Sequence, residues 1–148
     1  MIRLHRVTAA LTVFLAGCVA DEAPLPPARD TTPNAIGTVW QWVGTQTPVE
    51  RTVVEDPTRY TLELRPDGRA QVRFDCNNGA GSYDIADGQL SFGPLMSTRM
   101  ACPDDTQDHV FMSQLEKVSS YFLRDGELFL EMPYDSGTMR FRPEAQQP

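Results

Sequence analysis

Positive charge is scarce in this sequence: Lys and Arg number 13 against 20 Asp and Glu, a net charge of -7 at pH 7 with a pI near 4.7. No overall basic field exists to hold phosphate backbones and release their counterions, which excludes nucleic acid as a partner. Apolar runs long enough to span a bilayer are also missing. The longest, Val7 to Leu15, is too short to cross a hydrocarbon core of roughly 30 Å as a helix. Histidine occurs only twice and cysteine three times, so a zinc site has almost nothing to draw on. Uninterrupted helical stretches are limited as well. Twelve prolines are scattered through the chain, each removing an amide donor and disfavouring helix before it, so strands and turns should dominate. At 148 residues the chain suits one ordinary domain rather than two.

The short apolar run follows Arg3 and Arg6, the arrangement of an export signal over residues 1–17. Directly after it, Leu15, Ala16, Gly17 and Cys18 resemble the lipobox of bacterial lipoproteins, in which cleavage precedes the cysteine and its sulfur receives a diacylglycerol. The resemblance implies that Cys18 becomes the first mature residue and holds the protein on a membrane through lipid, with each buried methylene worth about 0.8 kcal/mol. In double-membrane bacteria, Val19 after that cysteine implies transfer to the outer membrane, facing the periplasm; Asp21 sits too late to retain it inside. Loss of Arg3 and Arg6 with the signal moves the net charge from -7 to -9. Residues 18–35, with Pro24, Pro26, Pro27 and Pro33 and no periodic apolar face, read as an extended tether. The domain is expected over 36–143.

Within the domain, period-two spacing puts Trp40 and Trp42 on one strand face, where burial is the expected use and a ligand platform the alternative. Thr45 to Thr58 reads as a polar loop with one short extended piece at Thr52 to Val54. Tyr60, Leu62 and Leu64 alternate before Pro66, Asp67 and Gly68, and Ala70, Val72 and Phe74 resume the period, which makes a hairpin. Asp75 to Gly81 is small and polar, suited to a loop with positive φ angles. Tyr83 and Ile85 then lead through Asp87 and Gly88 to Leu90 and Phe92. Pro103, Asp104 and Asp105 suit the start of one helix over about 105–118, with Val110, Phe111, Leu115 and Val118 on one face. A second hairpin turns at Asp125 and Gly126, and Met139 with Phe141 marks a closing strand. Seven or eight short strands and one helix, with no repeat and no alternating βα units, predict an α+β class: mainly antiparallel β, as a curled sheet or small barrel.

Three blocks resemble the META, or HslJ-type, domain: Cys76-Asn77-Asn78 with Gly81 and Tyr83, Leu90-Ser91-Phe92, and Ser97-Thr98-Arg99-Met100-Ala101-Cys102-Pro103. Trp40-Gln41-Trp42-Val43 is similar to the family's opening strand. One departure is that small residues follow the asparagine pair where the family often carries an aromatic. The resemblance implies a compact β-rich domain in envelope lipoproteins linked to heat and chemical stress, with no catalytic residues to carry over.

Once Cys18 is lipidated, Cys76 and Cys102 form an even pair, which in an oxidising compartment points to a disulfide, the alternative being two buried thiols. That bridge would bring together Asp75, Asn77, Asn78, Tyr83, Thr98 and Arg99, a cluster that either satisfies backbone groups and pairs Arg99 with Asp75, or binds a ligand. His109 is expected on a solvated helix face. No serine sits in an activating context, Gly79-Ala80-Gly81 lacks the third glycine of a dinucleotide loop, and Asp75 with Asn77 lacks the spaced ligands of a calcium loop. No catalytic residue, metal site or cofactor is therefore expected. Asp84, Asp87, Asp104, Asp105 and Asp108 read as turn, cap and surface residues that could together favour a cationic ligand or an envelope protein. The leading expectation is a non-enzymatic lipoprotein supporting envelope stress tolerance. The alternative is a periplasmic inhibitor of a basic host enzyme such as lysozyme.

Overall fold

A computed structural model describes residues 34–103 and 105–145. The export signal, Cys18 and most of the tether lie outside the described residues. Ten strands run in chain order: β1 Val39–Gln46, β2 Arg51–Val53, β3 Tyr60–Leu64, β4 Arg69–Phe74, β5 Asn77–Ala86, β6 Gln89–Phe92, β7 Met96–Ser97, β8 Ser120–Arg124, β9 Glu127–Met132 and β10 Gly137–Pro143. Among the described residues one α-helix, α1 Asp108–Leu115, lies between β7 and β8, and short 3-10 turns form at Pro57–Arg59 and Pro133–Asp135. Eight strands close an antiparallel barrel in the order β1, β3, β4, β5, β6, β8, β9, β10, with β10 returning to β1. β2 adds to the second half of β1, and β7 to β5.

The small barrel expected from the alternation is what forms, and the reason is visible in β3, β4, β9 and β10. Tyr60, Leu62, Leu64, Ala70, Val72, Phe74, Leu128, Leu130, Met139 and Phe141 are all buried while their neighbours face outward. The Asp87-Gly88 and Asp125-Gly126 turns hold positive φ at both residues, as two-residue hairpin loops between right-twisted strands require. Closure is uneven. β1 and β10 pair from Trp40↔Pro143 to Gln46↔Thr138, whereas β6 and β8 meet at Gln89↔Ser120 alone.

Both indoles of β1 are fully buried. Trp40 Nε1 donates to the Ala35 carbonyl at 3.0 Å and Trp42 Nε1 to Thr45 Oγ1 at 3.1 Å, so neither polar tip is stranded. A bulge between Trp42 and Gly44 shifts the register and turns Thr45 inward, where its hydroxyl donates to Gln114 Oε1 of α1 at 2.6 Å. A Cβ at Gly44 would run into the Thr52 carbonyl oxygen, so the β1–β2 approach needs glycine. From α1, Phe111 and Leu115 are fully buried; Phe111 lies 5.2 Å from Trp42, 5.7 Å from Tyr60 and 6.3 Å from Phe141 between ring centroids.

Three local expectations change. Thr45 to Thr58 is less a loop than the turn of a β1–β2 hairpin, because β1 continues to Gln46 and the extended piece falls at Arg51–Val53. Asn77 to Gly81 is strand, not a loop of positive φ; only Asp75 there is left-handed, at φ 61°. The helix is Asp108–Leu115 rather than about 105–118, because the Gln107 amide is taken by Tyr60 Oη at 2.7 Å and Asp105 turns to Arg59.

Candidate functional site

β4 ends at Phe74, the chain reverses through Asp75 and Cys76, and β5 begins at Asn77. Cys76 is bonded to Cys102, fastening the segment after β7 to this reversal. Asn77, 3% exposed, sits beneath that segment with its amide fully used. Nδ2 donates to the Met100 carbonyl at 3.1 Å and to Cys102 Sγ at 3.2 Å; Oδ1 accepts from the Met100 amide at 2.7 Å and from the Thr98 hydroxyl at 2.9 Å. Thr98 Oγ1 in turn accepts from the Asn78 amide at 3.0 Å, and the Thr98 amide donates to the Asn78 carbonyl at 2.9 Å. One carboxamide thus satisfies the backbone of a strand-like strap that has little ladder of its own.

The chain entering β7 and the side chains of β4 explain the small residues of β5. A Cβ at Gly81 would meet the Pro94 carbonyl at 2.7 Å and the Leu95 side chain at 2.8 Å, and one at Gly79 would meet Val72 at 2.9 Å. Gly81 admits a close crossing of backbone over strand rather than a turn, and Gly79 makes room for the Val72 side chain.

Asp75 faces a different partner from the one expected. Its Oδ1 accepts from Arg59 Nε at 2.7 Å, while Arg59 Nη1 reaches Asp105 Oδ2 at 3.1 Å. The Asp75 amide donates to the Arg59 carbonyl at 2.7 Å, so side chain and backbone fasten the same two residues. Asp75 is 8% exposed, and Oδ2 has no partner in hydrogen-bonding geometry. The Arg59 guanidinium, opposed by burial and helped by the nearby Thr106 hydroxyl, holds the Asp75 carboxyl below the ordinary aspartate range. Arg59 likewise lowers the Asp105 carboxyl, and the two carboxylates raise the Arg59 guanidinium.

Arg99 is exposed and, among the described residues, has no ion-pair partner; Asp75 pairs with Arg59 instead because the Tyr60↔Phe74 register and the Asp75 amide bond to the Arg59 carbonyl set the two residues side by side. Tyr83 lies six residues along β5 from Asn77, roughly 20 Å at about 3.3 Å per residue, and donates from Oη to the Arg65 carbonyl at 2.7 Å. The structure therefore unites Asn77, Asn78 and Thr98, with Asp75 next to them and Arg99 just outside, and separates Tyr83. Arg99 and His109 both line an open cavity of about 570 Å³ floored in part by Phe74 and Met112. Sequence reasoning does not find Arg59 or Gln107 and reads Asp105 only as a cap or surface carboxylate, since 46 residues separate Arg59 from Asp105 and no local pattern links them.

Residues 34–146 match the META domain. The fold is similar to a protein from Burkholderia xenovorans solved by NMR, with a TM-score of 0.62 and 23% identity over 83% of this chain and 99% of that one. It is also similar to the crystal structure of a DUF4847 family protein from Bacteroides vulgatus ATCC 8482, with a TM-score of 0.57 and 12% identity over 76% and 96% of the two chains. At these identities the likeness is one of fold. No curated protein matches the chain. With more than half of its length, the barrel, helix and strap included, matched to one family, the chain belongs to the META domain family.

Proposed function

We propose that this protein is an outer-membrane-anchored, periplasm-facing lipoprotein that serves envelope stress tolerance through a binding or structural role rather than through catalysis. The observation that carries the reading is the lipobox-like Leu15-Ala16-Gly17-Cys18 ahead of a META domain, joined to it by a proline-rich stretch. Supporting it, two polar side chains of the family-like blocks are spent within the fold: the Asn77 carboxamide and the Thr98 hydroxyl hold the strap. A nucleophile, a base and an orienting group converging on one point would be the mark of an enzyme, and His109 instead stands exposed on α1.

The test compares wild type with Cys18→Ala in lipid labelling, membrane fractionation and rescue of a deletion strain under heat and chemical stress. Wild type is expected to be labelled, to sediment with the outer membrane and to rescue, and Cys18→Ala to do none of these. Unchanged labelling and sedimentation of the variant would sink the anchor. The net charge of -9 left after removal of residues 1–17 favours a second reading, inhibition of a basic host enzyme such as lysozyme. Saturable inhibition across a panel of basic lysozymes would put that reading first.

A further inference from the structure

On the outer face of the barrel, register lines up one row across five strands. Phe122 of β8 stands opposite Phe129 of β9, Phe129 opposite Arg140 of β10, Arg140 opposite Gly44 of β1, and Gly44 opposite Val53 of β2. The bulge that bends β1 at this point, together with the return of β2, leaves a concavity of about 360 Å³. Its charged lining residues are Arg51, Arg124 and Arg140, and no carboxylate lines it. Three of the 13 basic residues of a chain with net charge -7 thus converge on one hollow.

These arginines are not equivalent. Arg140 is held by Glu127 through a two-pronged bridge, Nε to Oε2 at 2.6 Å and Nη2 to Oε1 at 2.8 Å. Arg51 and Arg124 have no ion-pair partner among the described residues. The Arg124 guanidinium instead lies 5.4 Å from the Phe122 centroid and 4.9 Å from that of Phe129, whose rings stack at 4.8 Å. A guanidinium resting on aromatic rings keeps its in-plane N–H donors free, and that planar fork matches an oxyanion in two-pronged fashion. The aromatic pair gives the hollow an apolar wall, and its volume is that of a small-molecule site.

We propose that this hollow binds a small aromatic acid, with the carboxylate or equivalent oxyanion held between Arg51 and Arg124 and the flat body laid against Phe122 and Phe129. The site is separate from the strap and does not depend on the membrane anchor. It runs against the chain's overall charge, which favours cationic partners. At physiological ionic strength the Debye length is only about 8 Å, so repulsion from acidic groups elsewhere on the domain is largely screened at the hollow.

The experiment titrates the isotopically labelled full chain carrying Cys18→Ala with four probes, 2-naphthoate, 2-naphthylmethanol, acetate and decanoate, and follows amide shifts. Naphthoate should saturate, with shifts concentrated at residues 43–46, 51–52, 122–129 and 138–140. The neutral alcohol, with body but no charge, and acetate, with charge but no body, should each bind at least tenfold more weakly. Arg51→Gln and Arg124→Gln, both exposed positions whose spectra should stay folded, should each weaken naphthoate at least tenfold. Equal binding of the alcohol, shifts centred elsewhere, or unchanged affinity in both arginine variants would overturn the site. Tighter binding of decanoate than of naphthoate would overturn the flat-body assignment.

Discussion

Replacing Asn77 by alanine tests whether the META-like block is scaffold. The change removes two accepted bonds and three donated ones, two of these to sulfur, from a residue that is 3% exposed. A typical intramolecular hydrogen bond contributes about 0.5–1.5 kcal/mol net, and a buried group left unpaired costs about 1–3 kcal/mol. The two contacts to sulfur add little. Thr98 can fall back on the Asn78 carbonyl, already 3.4 Å from its hydroxyl, and the Met100 side chain is exposed, so water can reach part of the strap. The loss should therefore be about 2–3 kcal/mol. At about 4 °C per kcal/mol for a domain of this size, Tm should fall by about 8–12 °C. Denaturant unfolding of the oxidised protein, with m unchanged, is the assay. Arg99→Ala serves as the contrast: exposed and unpaired, it should stay within about 0.5 kcal/mol of wild type. A loss below 0.5 kcal/mol for Asn77→Ala would refute the reasoning, and equal losses for both variants would show that the two residues work as one unit.

Asp75→Asn should destabilise the protein at neutral pH by taking the charge from Arg59. Because the folded carboxyl titrates below the ordinary 3.8, the stability it contributes is present above that value and lost as pH falls through the folded pKa. The gap between variant and wild type in acid titrations should accordingly close below about pH 4. Phe111→Ala empties a site enclosed by Trp42, Tyr60 and Phe141 and should cost about 3–5 kcal/mol in denaturant unfolding. Gly44→Ala should cost about 1–3 kcal/mol, with faster hydrogen exchange at Val54, whose amide donates to the Val43 carbonyl beside the pushed-apart strands. Reduction of Cys76–Cys102, which closes a loop of separation 26, should lower stability by about 3.5 kcal/mol on the loop-entropy argument.

What the sequence made readable was local. Tyr60-Leu62-Leu64 and Leu128-Leu130 alternate so strictly, and Asp87-Gly88 and Asp125-Gly126 turn so specifically, that the hairpins follow from two or three residues each. What stayed hidden depends on partners far along the chain. Gly79 and Gly81 look like turn residues until Val72 of β4 and the chain at Pro94 and Leu95 are set against them. Asp105 looks like a helix cap until Arg59, 46 residues earlier, claims it. The hollow of Arg51, Arg124 and Arg140 has no motif at all, because β2, β8 and β10 reach it from separate hairpins and only the bulge in β1 makes the face concave.

The long β1–β10 ladder sets the timing of folding. Trp40 pairs with Pro143 and Trp42 with Phe141, so the first strand of the domain cannot be enclosed until the last has left the ribosome. Local hairpins can zip earlier, but the indoles stay wet, and the 3.0 Å bond from Trp40 to Ala35 has no dry environment to strengthen it. A chain stopped short of residue 137 would present both tryptophans on an open sheet edge, a surface that proteases and chaperones recognise. Completion of the polypeptide is thus the event that tryptophan fluorescence would register.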